Sequence, residues 1–314
     1  MHRASSPIEF VQLVVDEPTE REVGFASSAS GIYHCLFNRD DSATRKMSTC
    51  PTIDLGARPG SERLQVVQEA AELFLEHGCL LVKGVFDQDY IAQLHRAYLD
   101  TYHAYFEDRE YSDALNVGNK RTQVTVDIKG PFNSPRLYAN DFILPLLKLL
   151  LGDQLILGGF GSVVSLPGAP EQNAHRDHPN IYEVTEAEAT KAWVDMLLPP
   201  YALNLIVPLV PLNAISGTTR LWVGSHLVAA SRTQQMPSAD PVADLGDCLL
   251  VDYRLLHGGT ANRSANPRPI LYNLYCRPWF RDNVNFRKQR PISISLEEYS
   301  QVPAQFQHLF AWCR

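Results

Sequence analysis

Apolar residues recur every three to four positions in two segments of the first third of the chain. In residues 61–78 (SERLQVVQEAAELFLEHG) this spacing predicts an amphipathic helix that ends at Gly78. In residues 86–106 (FDQDYIAQLHRAYLDTYHAYF) it predicts a second helix, with Asp87 able to cap its first turn. The apolar run CLLVKGVF between them is typical of a short buried strand. A helix, a strand and a helix therefore precede the rest of the pattern.

From about Val117 the pattern changes to short segments rich in β-branched and aromatic residues, separated by Gly, Pro and Asn. One further helix is predicted in residues 142–152, and a final helix, interrupted near Pro303, in residues 295–312. Many short strands without alternating helices favour an antiparallel barrel or sandwich, of which the jelly roll has a cavity at its mouth. The predicted strands are ILGGFGSVVSL, ALNLIVPLVPL, TRLWVGSH, DCLLVDY and PILYNLYCRPWF.

These patterns predict a β-rich α+β protein. Residues 53–314 are expected to form a single jelly-roll domain with flanking N-terminal and C-terminal helices. Residues 1–52 are weakly patterned and contain Ser and Thr clusters, so they are interpreted as a leader of uncertain order. The chain has 314 residues, of which 45% are hydrophobic and 20% charged, which is enough to bury the core of one such domain.

The net charge of −7 and the pI near 5.8 argue against binding to nucleic acid or to an anionic membrane surface. No apolar run reaches the roughly 18 residues of a membrane span, and the N-terminus lacks the apolar core of a signal peptide. We therefore expect a soluble cytoplasmic protein that acts on a small molecule, as a monomer or a homodimer. The six cysteines lie far apart without a C-x-x-C pair, so no structural disulfide is expected.

The stretch EQNAHRDHP carries a candidate metal-ligand pair. On a jelly-roll strand His175 and Asp177 would both face the barrel interior, and Arg176 would face away. In GDCLLVDYRLLHGGTANRS, His257 stands at the predicted end of a strand, before two glycines that let the backbone approach closely. Two histidines and one carboxylate on one face leave coordination positions open, as in non-haem iron(II) enzymes that activate oxygen.

Two other histidines compete for the same role, because a single histidine is more often an ordinary hydrogen-bonded residue than a metal ligand. His178 shares the parity of Arg176 and would face outward on a regular strand, although a turn at Pro179 could redirect it. His226, in WVGSH, is better explained as a polar residue that closes a turn.

An oxygen-activating iron site needs a source of electrons, which 2-oxoglutarate supplies when its distal carboxylate is held. Arg268 stands at the start of the predicted strand after His257. Its guanidinium can donate to both oxygens of a carboxylate in a fixed geometry. The alternative is an arginine in a surface loop.

The ordered set Q-x-x-H-x-D, NLIVPLVPLNAISGTTRLWVGSH and GDCLLVDYRLLHGGTANRSANPRP resembles the phytanoyl-CoA dioxygenase family of iron(II)- and 2-oxoglutarate-dependent oxygenases, over residues 66–280. The resemblance implies a double-stranded β-helix (jelly-roll) core with iron, 2-oxoglutarate and O2 as cofactor and cosubstrates. It also implies that the iron ligands are His175, Asp177 and His257, and that Arg268 anchors 2-oxoglutarate.

Further cosubstrate contacts follow less directly from the same resemblance. Gln172 matches a glutamine that contacts the cosubstrate in some relatives, and a surface amide is the equal alternative. Ile270 stands where other members of the superfamily have a serine beside the arginine, so a second donor to the distal carboxylate must come from elsewhere. Asn204 and Thr122 are the candidates.

The resemblance implies a hydroxylase that releases succinate and CO2, because halogenating relatives have Gly or Ala where this chain has Asp177. Desaturation and ring closure remain possible branches. No CoA-binding signature is visible, so a small metabolite or natural-product intermediate is the expected substrate. Its candidate contacts, each with an ordinary surface or packing role as the alternative, are Arg121, Gln123, Tyr182 and Trp193.

Two other classes of protein stay open. A metal-dependent, non-oxidative cupin-like enzyme, such as an isomerase, would need the metal ligands without Arg268. A catalytically silent jelly-roll binding module would need neither. The presence of the complete ligand set and the arginine in one chain argues against both.

Overall fold

The computed structural model describes residues 49–57, 62–178, 198–228, 233, 236–287 and 289–313. Within these residues ten strands form two sheets. The chain divides into Met1–Ala43 and Thr44–Arg314, and every described residue lies in the second unit. The strands are β1 (Thr52–Asp54), β2 (Cys79–Lys83), β3 (Leu115–Gly118), β4 (Arg121–Thr125), β5 (Ile156–Ser165), β6 (Ala202–Pro208), β7 (Thr219–Leu221), β8 (Cys248–Asp252), β9 (His257–Gly259) and β10 (Arg268–Cys276).

The larger sheet has the strand order β1-β2-β8-β6-β10-β5-β4-β3, and β7 and β9 form the smaller one. Every pairing is antiparallel except that of β1 with β2. Buried side chains from β2, β6, β8 and β10 pack against Leu221 of β7, so the smaller sheet covers one face of the larger. This arrangement is the jelly roll that the sequence pattern predicts, and the fold-class prediction is confirmed.

Helices flank the sheets where the helical spacing predicts them. The first ends at Gly78, whose φ of 72° lies in the left-handed region and whose N–H donates to Phe74 O at 2.7 Å. The second is capped by Asp87, whose carboxylate accepts from Tyr90 N at 3.1 Å. Among the described residues no helix has the length and apolar content needed to cross a membrane. The helices are α1 (Arg63–His77), α2 (Gln88–Tyr102), α3 (Pro135–Tyr138), α4 (Ile143–Leu151) and α5 (Leu296–Ser300).

Several predicted elements differ from the structure at their ends. The strand predicted for TRLWVGSH stops at Leu221, because the chain turns through Gly224 (φ 81°) into the 3₁₀ turn Ser225–Leu227. His257 does not end the strand of DCLLVDY but begins the separate strand β9. After Pro303 the predicted C-terminal helix continues as a 3₁₀ run, Ala304–Cys313, rather than as an α-helix.

The chain enters the larger sheet at Thr52, next to the boundary predicted between the leader and the domain. There β1 runs parallel to β2, and Leu81 N donates to Pro51 O at 2.9 Å. Residues 1–48 of the predicted leader lie outside the described residues. The division into residues 1–52 and 53–314 stays a prediction.

Candidate metal centre and cosubstrate site

The segment that carries His175 is held to β9 by a single antiparallel bridge to His257. His175 N donates to His257 O at 2.8 Å, and His257 N donates to His175 O at 2.9 Å. Residues 166–178 follow β5 as irregular chain with a turn at Gly168 and two prolines, so the prediction that His175 and Asp177 belong to a regular strand is wrong. The predicted alternation still holds locally, since Arg176 points away and donates to Ser225 O and Val228 O, both at 2.9 Å.

The structure brings His175, Asp177 and His257 together, with one ligand atom from each within 4.8 Å of the others. The two imidazole rings lie 4.6 Å apart between centroids, and His257 Nε2 is 3.5 Å from Asp177 Oδ1. Of the described His, Cys, Asp and Glu residues, these three form the group able to hold a metal ion.

Each histidine of this cluster presents the nitrogen that a metal requires. His175 Nδ1 lies 2.9 Å from Asn173 O, and His257 Nδ1 lies 3.0 Å from Leu255 O. Because a carbonyl oxygen only accepts, Nδ1 must carry the proton in both rings, which leaves the Nε2 lone pairs free. Burial, followed by the neighbouring His257 ring, lowers the pKa of His175, so this imidazole is neutral. Two imidazoles that present Nε2 and one carboxylate fit iron(II).

Two side chains from the larger sheet hold the carboxylate of Asp177. Tyr272 OH and Asn204 Nδ2 both donate to Asp177 Oδ2 at 2.8 Å, and Asn204 Nδ2 also donates to Tyr272 OH at 2.6 Å. Asn285 Nδ2 donates to the main-chain oxygen of Asp177 at 2.8 Å. The sequence analysis missed Tyr272 and Asn285.

The prediction that Asn204 contacts the distal carboxylate of 2-oxoglutarate is not supported by its position. Asn204 pairs with Leu274 of β10, six residues from Arg268, which corresponds to about 20 Å along a strand. The same prediction for Thr122 is also not supported. Thr122 follows Arg121 on β4, so its side chain lies on the face of the sheet opposite to that of Arg268.

A buried cationic pocket lies at the other end of β10. Arg268 and Arg121 both pair with Ser165 of β5, from opposite sides, so the three side chains share one face of the sheet. Each arginine is 2% exposed. Arg268 Nη1 donates to Thr218 O at 3.2 Å, and Arg121 Nη2 donates to Thr260 O at 2.6 Å. Arg121 was predicted as a substrate contact, and the structure places it here.

Several polar atoms of this pocket have no hydrogen-bond partner among the described residues, namely Arg268 Nε, Arg121 Nε and Ser165 Oγ. Burial, followed by the nearby Arg121 charge, lowers the pKa of Arg268 to about 10. Two buried guanidinium groups with spare donors and a spare hydroxyl form a receptor for an anion such as a carboxylate. These donors match the hydrogen-bonding requirements of the distal carboxylate of 2-oxoglutarate. Ser165 was missed because only the strand register brings it beside the arginines.

Gln172 connects the segment that carries His175 to β9 and β3 through hydrogen bonds. Its Oε1 accepts from Gly259 N at 2.9 Å, its main-chain N donates to Gly259 O at 2.8 Å, and its Nε2 donates to Val117 O. A Cβ on Gly259 would lie 3.1 Å from both Gln172 Oε1 and Arg121 Nε, so glycine allows this close approach. Both ends of the Gln172 amide are thus engaged by main chain, and its contact with the cosubstrate stays a prediction.

The competing histidines lie outside the metal-ligand cluster. The ring of His178 packs edge-on against Phe280, with 5.2 Å between centroids. His226 lies in the turn Ser225–Leu227, as predicted, where its Nε2 hydrogen-bonds Leu75 O at 3.1 Å. Of the predicted substrate contacts, Gln123 lies on the inner face of β4 between the cationic pocket and Tyr272. Tyr182 and Trp193 lie outside the described residues.

The jelly roll, the ligand set and the buried arginine together define the class of iron(II)- and 2-oxoglutarate-dependent oxygenases. Within this class the chain belongs to the phytanoyl-CoA dioxygenase (PhyH) family, whose sequence model matches residues 74–270. The resemblance stated from the sequence is confirmed. Iron(II) and 2-oxoglutarate are the cofactors that the family and the donor set assign to this chain.

Curated relatives carry the same class of name. Dioxygenase af480 of Aspergillus fumigatus is 28% identical over 162 residues, which are 49% of this chain and 48% of the relative. Dioxygenase trt7 of Aspergillus terreus is 26% identical over 217 residues, 64% of this chain and 70% of the relative. The matched part of this chain thus spans about half the length of the first relative. Both relatives are named as dioxygenases, in agreement with the family.

Solved structures share the fold. The epimerase SnoN, in complex with Fe3+, alpha ketoglutarate and nogalamycin RO, has a TM-score of 0.52 at 19% identity, over 70% of this chain and 87% of SnoN. AviO1 from Streptomyces viridochromogenes has a TM-score of 0.51 at 20% identity, over 68% of this chain and 96% of AviO1. At these identities the likeness concerns the architecture alone.

Proposed function

We propose that this chain hydroxylates an unactivated C–H bond of a small natural-product intermediate, with succinate and CO2 as coproducts. In this proposal His175, Asp177 and His257 hold iron, and residues 53–314 act as one oxygenase domain. The observation that carries the proposal is the cluster itself. One ligand atom from each of the three residues lies within 4.8 Å of the others, and both Nδ1 atoms are hydrogen-bonded to main-chain carbonyls, which leaves the Nε2 atoms for a metal. Such a set binds one side of an octahedral ion.

Arg268 is the proposed anchor of the cosubstrate, and Arg121 and Ser165 add the donors that Ile270 cannot supply. Their unpartnered atoms lie on one buried face, so a carboxylate would gain charge-assisted hydrogen bonds without displacing an existing ion pair. When bound, iron and 2-oxoglutarate supply the electrons that activate oxygen, at the expense of the cosubstrate's carboxyl group. The chain's own contribution is to position the reactants and to exclude water.

The substrate is proposed to approach along the inner face beside Asp177. Leu274 pairs with Asn204 there, and Phe286 follows Asn285, which holds the Asp177 main chain. The ring of Phe286 lies so close to Gly159 that a Cβ at this position would be 2.7 Å from its Cζ. These apolar neighbours suit an uncharged carbon skeleton.

Two observations favour hydroxylation over the alternatives. A carboxylate at position 177 occupies the coordination position that a halide would need, which disfavours halogenation. A non-oxidative metal enzyme or a binding module has no use for two buried arginines with unpartnered donors, and burying them without an anion is costly. SnoN is an epimerase of similar fold, so inversion at a carbon centre is the second outcome to measure.

The proposal is tested by adding iron(II) and 2-oxoglutarate to the protein without oxygen. A weak visible charge-transfer band is expected with the wild-type chain, and none with Asp177→Ala. A folded wild-type protein that gives no band contradicts the proposal. The substrate is then sought by screening metabolite extracts for oxygen-dependent stimulation of succinate formation, and product analysis separates a hydroxylated product from an epimer.

A further inference from the structure

We propose that Asn204 and Tyr272 are positioning residues that make Asp177 a single-oxygen ligand, with Oδ1 directed to the metal and Oδ2 withheld from it. This inference rests on the proposed function and deepens it. It assigns to two side chains, neither of which is itself a ligand, control over how many coordination positions stay open.

The distances among Asn204, Tyr272 and Asp177 show which atom donates each hydrogen bond. Asn204 Nδ2 has two neighbours that accept, Asp177 Oδ2 at 2.8 Å and Tyr272 OH at 2.6 Å, which fixes the orientation of the amide. The Tyr272 hydroxyl has then used an acceptor site, and its own proton is directed to Asp177 Oδ2 at 2.8 Å. Oδ2 thus accepts two hydrogen bonds from side chains that are themselves bonded to each other.

The second carboxylate oxygen has a different environment. Oδ1 lies 3.5 Å from His257 Nε2, the nitrogen that this ring presents to a metal. Of the two carboxylate oxygens, Oδ2 accepts the hydrogen bonds from Asn204 and Tyr272. A rotation of the carboxylate that brings Oδ2 to the metal would therefore break both hydrogen bonds. Asp177 should therefore bind through one oxygen and leave the remaining positions for the cosubstrate and oxygen.

The two positioning side chains come from neighbouring strands in the middle of the larger sheet. Asn204 is on β6 and is fully buried, and Tyr272 is on β10, which pairs with β6 along most of its length. Their separation is set by strand pairing rather than by a loop, so the carboxylate is held before any metal binds.

The test uses Mn(II) as the probe, without 2-oxoglutarate or turnover. Free Mn(II) is measured by continuous-wave electron paramagnetic resonance. Metal-bound water molecules are counted by pulsed electron paramagnetic resonance in isotopically labelled water. Tyr272→Phe, which removes only the hydroxyl, is expected to weaken Mn(II) binding by roughly 10- to 100-fold. If Oδ2 is released and also binds, the variant holds one metal-bound water fewer than the wild type.

The matched control is Tyr275→Phe on the same strand. Tyr275 is fully buried and its hydroxyl donates to Tyr138 O at 2.9 Å, so the control also loses a tyrosine hydrogen bond, but on the side of the helices. It should bind Mn(II) as the wild type does. Asn204→Leu is the second positioning variant and is expected to weaken binding as Tyr272→Phe does.

The outcomes separate this inference from the proposed function. If wild type and Asp177→Ala bind Mn(II) equally, the ligand assignment and the function fail together. If the wild type binds, Asp177→Ala does not, and Tyr272→Phe matches the wild type in affinity and in bound water, the function stands and the positioning role is overturned. Equal weakening by Tyr272→Phe and Tyr275→Phe also overturns it, because the effect would then be a general loss of stability.

Discussion

His175 and His257 exchange both of their main-chain hydrogen bonds, at 2.8 and 2.9 Å, although they come from distant parts of the sequence. The bridge fixes the separation of the two imidazoles through the backbone, and the Nδ1 contacts fix the direction of each ring. The candidate metal centre is thus preorganised, because folding rather than metal binding orders its side chains.

Replacement of a ligand should abolish metal binding. His257→Ala and Asp177→Ala are each expected to lose stoichiometric iron, measured as metal content after anaerobic reconstitution, and with it all turnover. His178→Ala is the control, since His178 packs against Phe280 outside the cluster and should keep its iron. Retention of iron by His257→Ala, or its loss from His178→Ala, would require a different ligand set.

Removal of the anchor arginine should act on the cosubstrate rather than on the metal. Loss of a charge-assisted hydrogen bond costs about 1.5–3 kcal/mol, so Arg268→Ala should raise the KM for 2-oxoglutarate roughly 10- to 100-fold while iron content is unchanged. Arg121→Leu should raise the same KM if its Nε also reaches the carboxylate.

The control for the arginine variants is Arg220→Ala. Arg220 pairs with Asp240 at 2.8 Å and with Glu171 at 3.1 Å and is partly exposed. It should leave the KM for 2-oxoglutarate at its wild-type value. Equal cosubstrate affinity of wild type and Arg268→Ala would remove the assignment of the anchor.

The proposed ligands and the proposed anchor could be identified from the sequence because their signal is local. His175 and Asp177 are two positions apart, His257 precedes two glycines, and Arg268 begins a strand, so residue type and spacing suffice. The helices were predictable for the same reason, since Gly78 and Asp87 mark their ends within a single turn. Short segments rich in β-branched and aromatic residues likewise predicted the many short strands that imply a jelly roll.

The partners of these residues could not be predicted, because they depend on strand register. Asn204 looked available for the cosubstrate until its pairing with Leu274 placed it beside Asp177. Thr122 was predicted as a cosubstrate contact and its neighbour Arg121 as a substrate contact, because the sequence does not say which face of β4 is inward. An error of one residue in the assumed register of a strand places every side chain on the opposite face.

Gly78→Ala should destabilise the fold strongly. Its φ of 72° is unfavourable for any residue with a Cβ, and an added Cβ would overlap His226 Nδ1 and lie 2.8 Å from Leu255 Cδ1. We expect a loss of about 2–4 kcal/mol in the free energy of unfolding, measured by urea denaturation. Gly130→Ala is the matched control, because Gly130 has a φ of 53° with open space around its Cβ position, and it should lose only about 1–2 kcal/mol. Equal losses would show that the packing against His226 contributes nothing.

The free energy of unfolding should fall between neutral pH and pH 5 because of His226. Burial lowers the pKa of this histidine from 6.5 to about 4, so the folded protein takes up its proton less readily than the unfolded chain does. A histidine whose pKa is depressed by folding stabilises the fold above its unfolded pKa, and this contribution decreases as pH falls below 6.5. From pH 7.5 to pH 5 the loss from this one group is about 2 kcal/mol. Urea denaturation of wild type and His226→Gln at both pH values measures it, and the variant should show the smaller pH dependence whatever its absolute stability. An identical pH dependence in the two proteins would mean that His226 does not titrate on unfolding in this range.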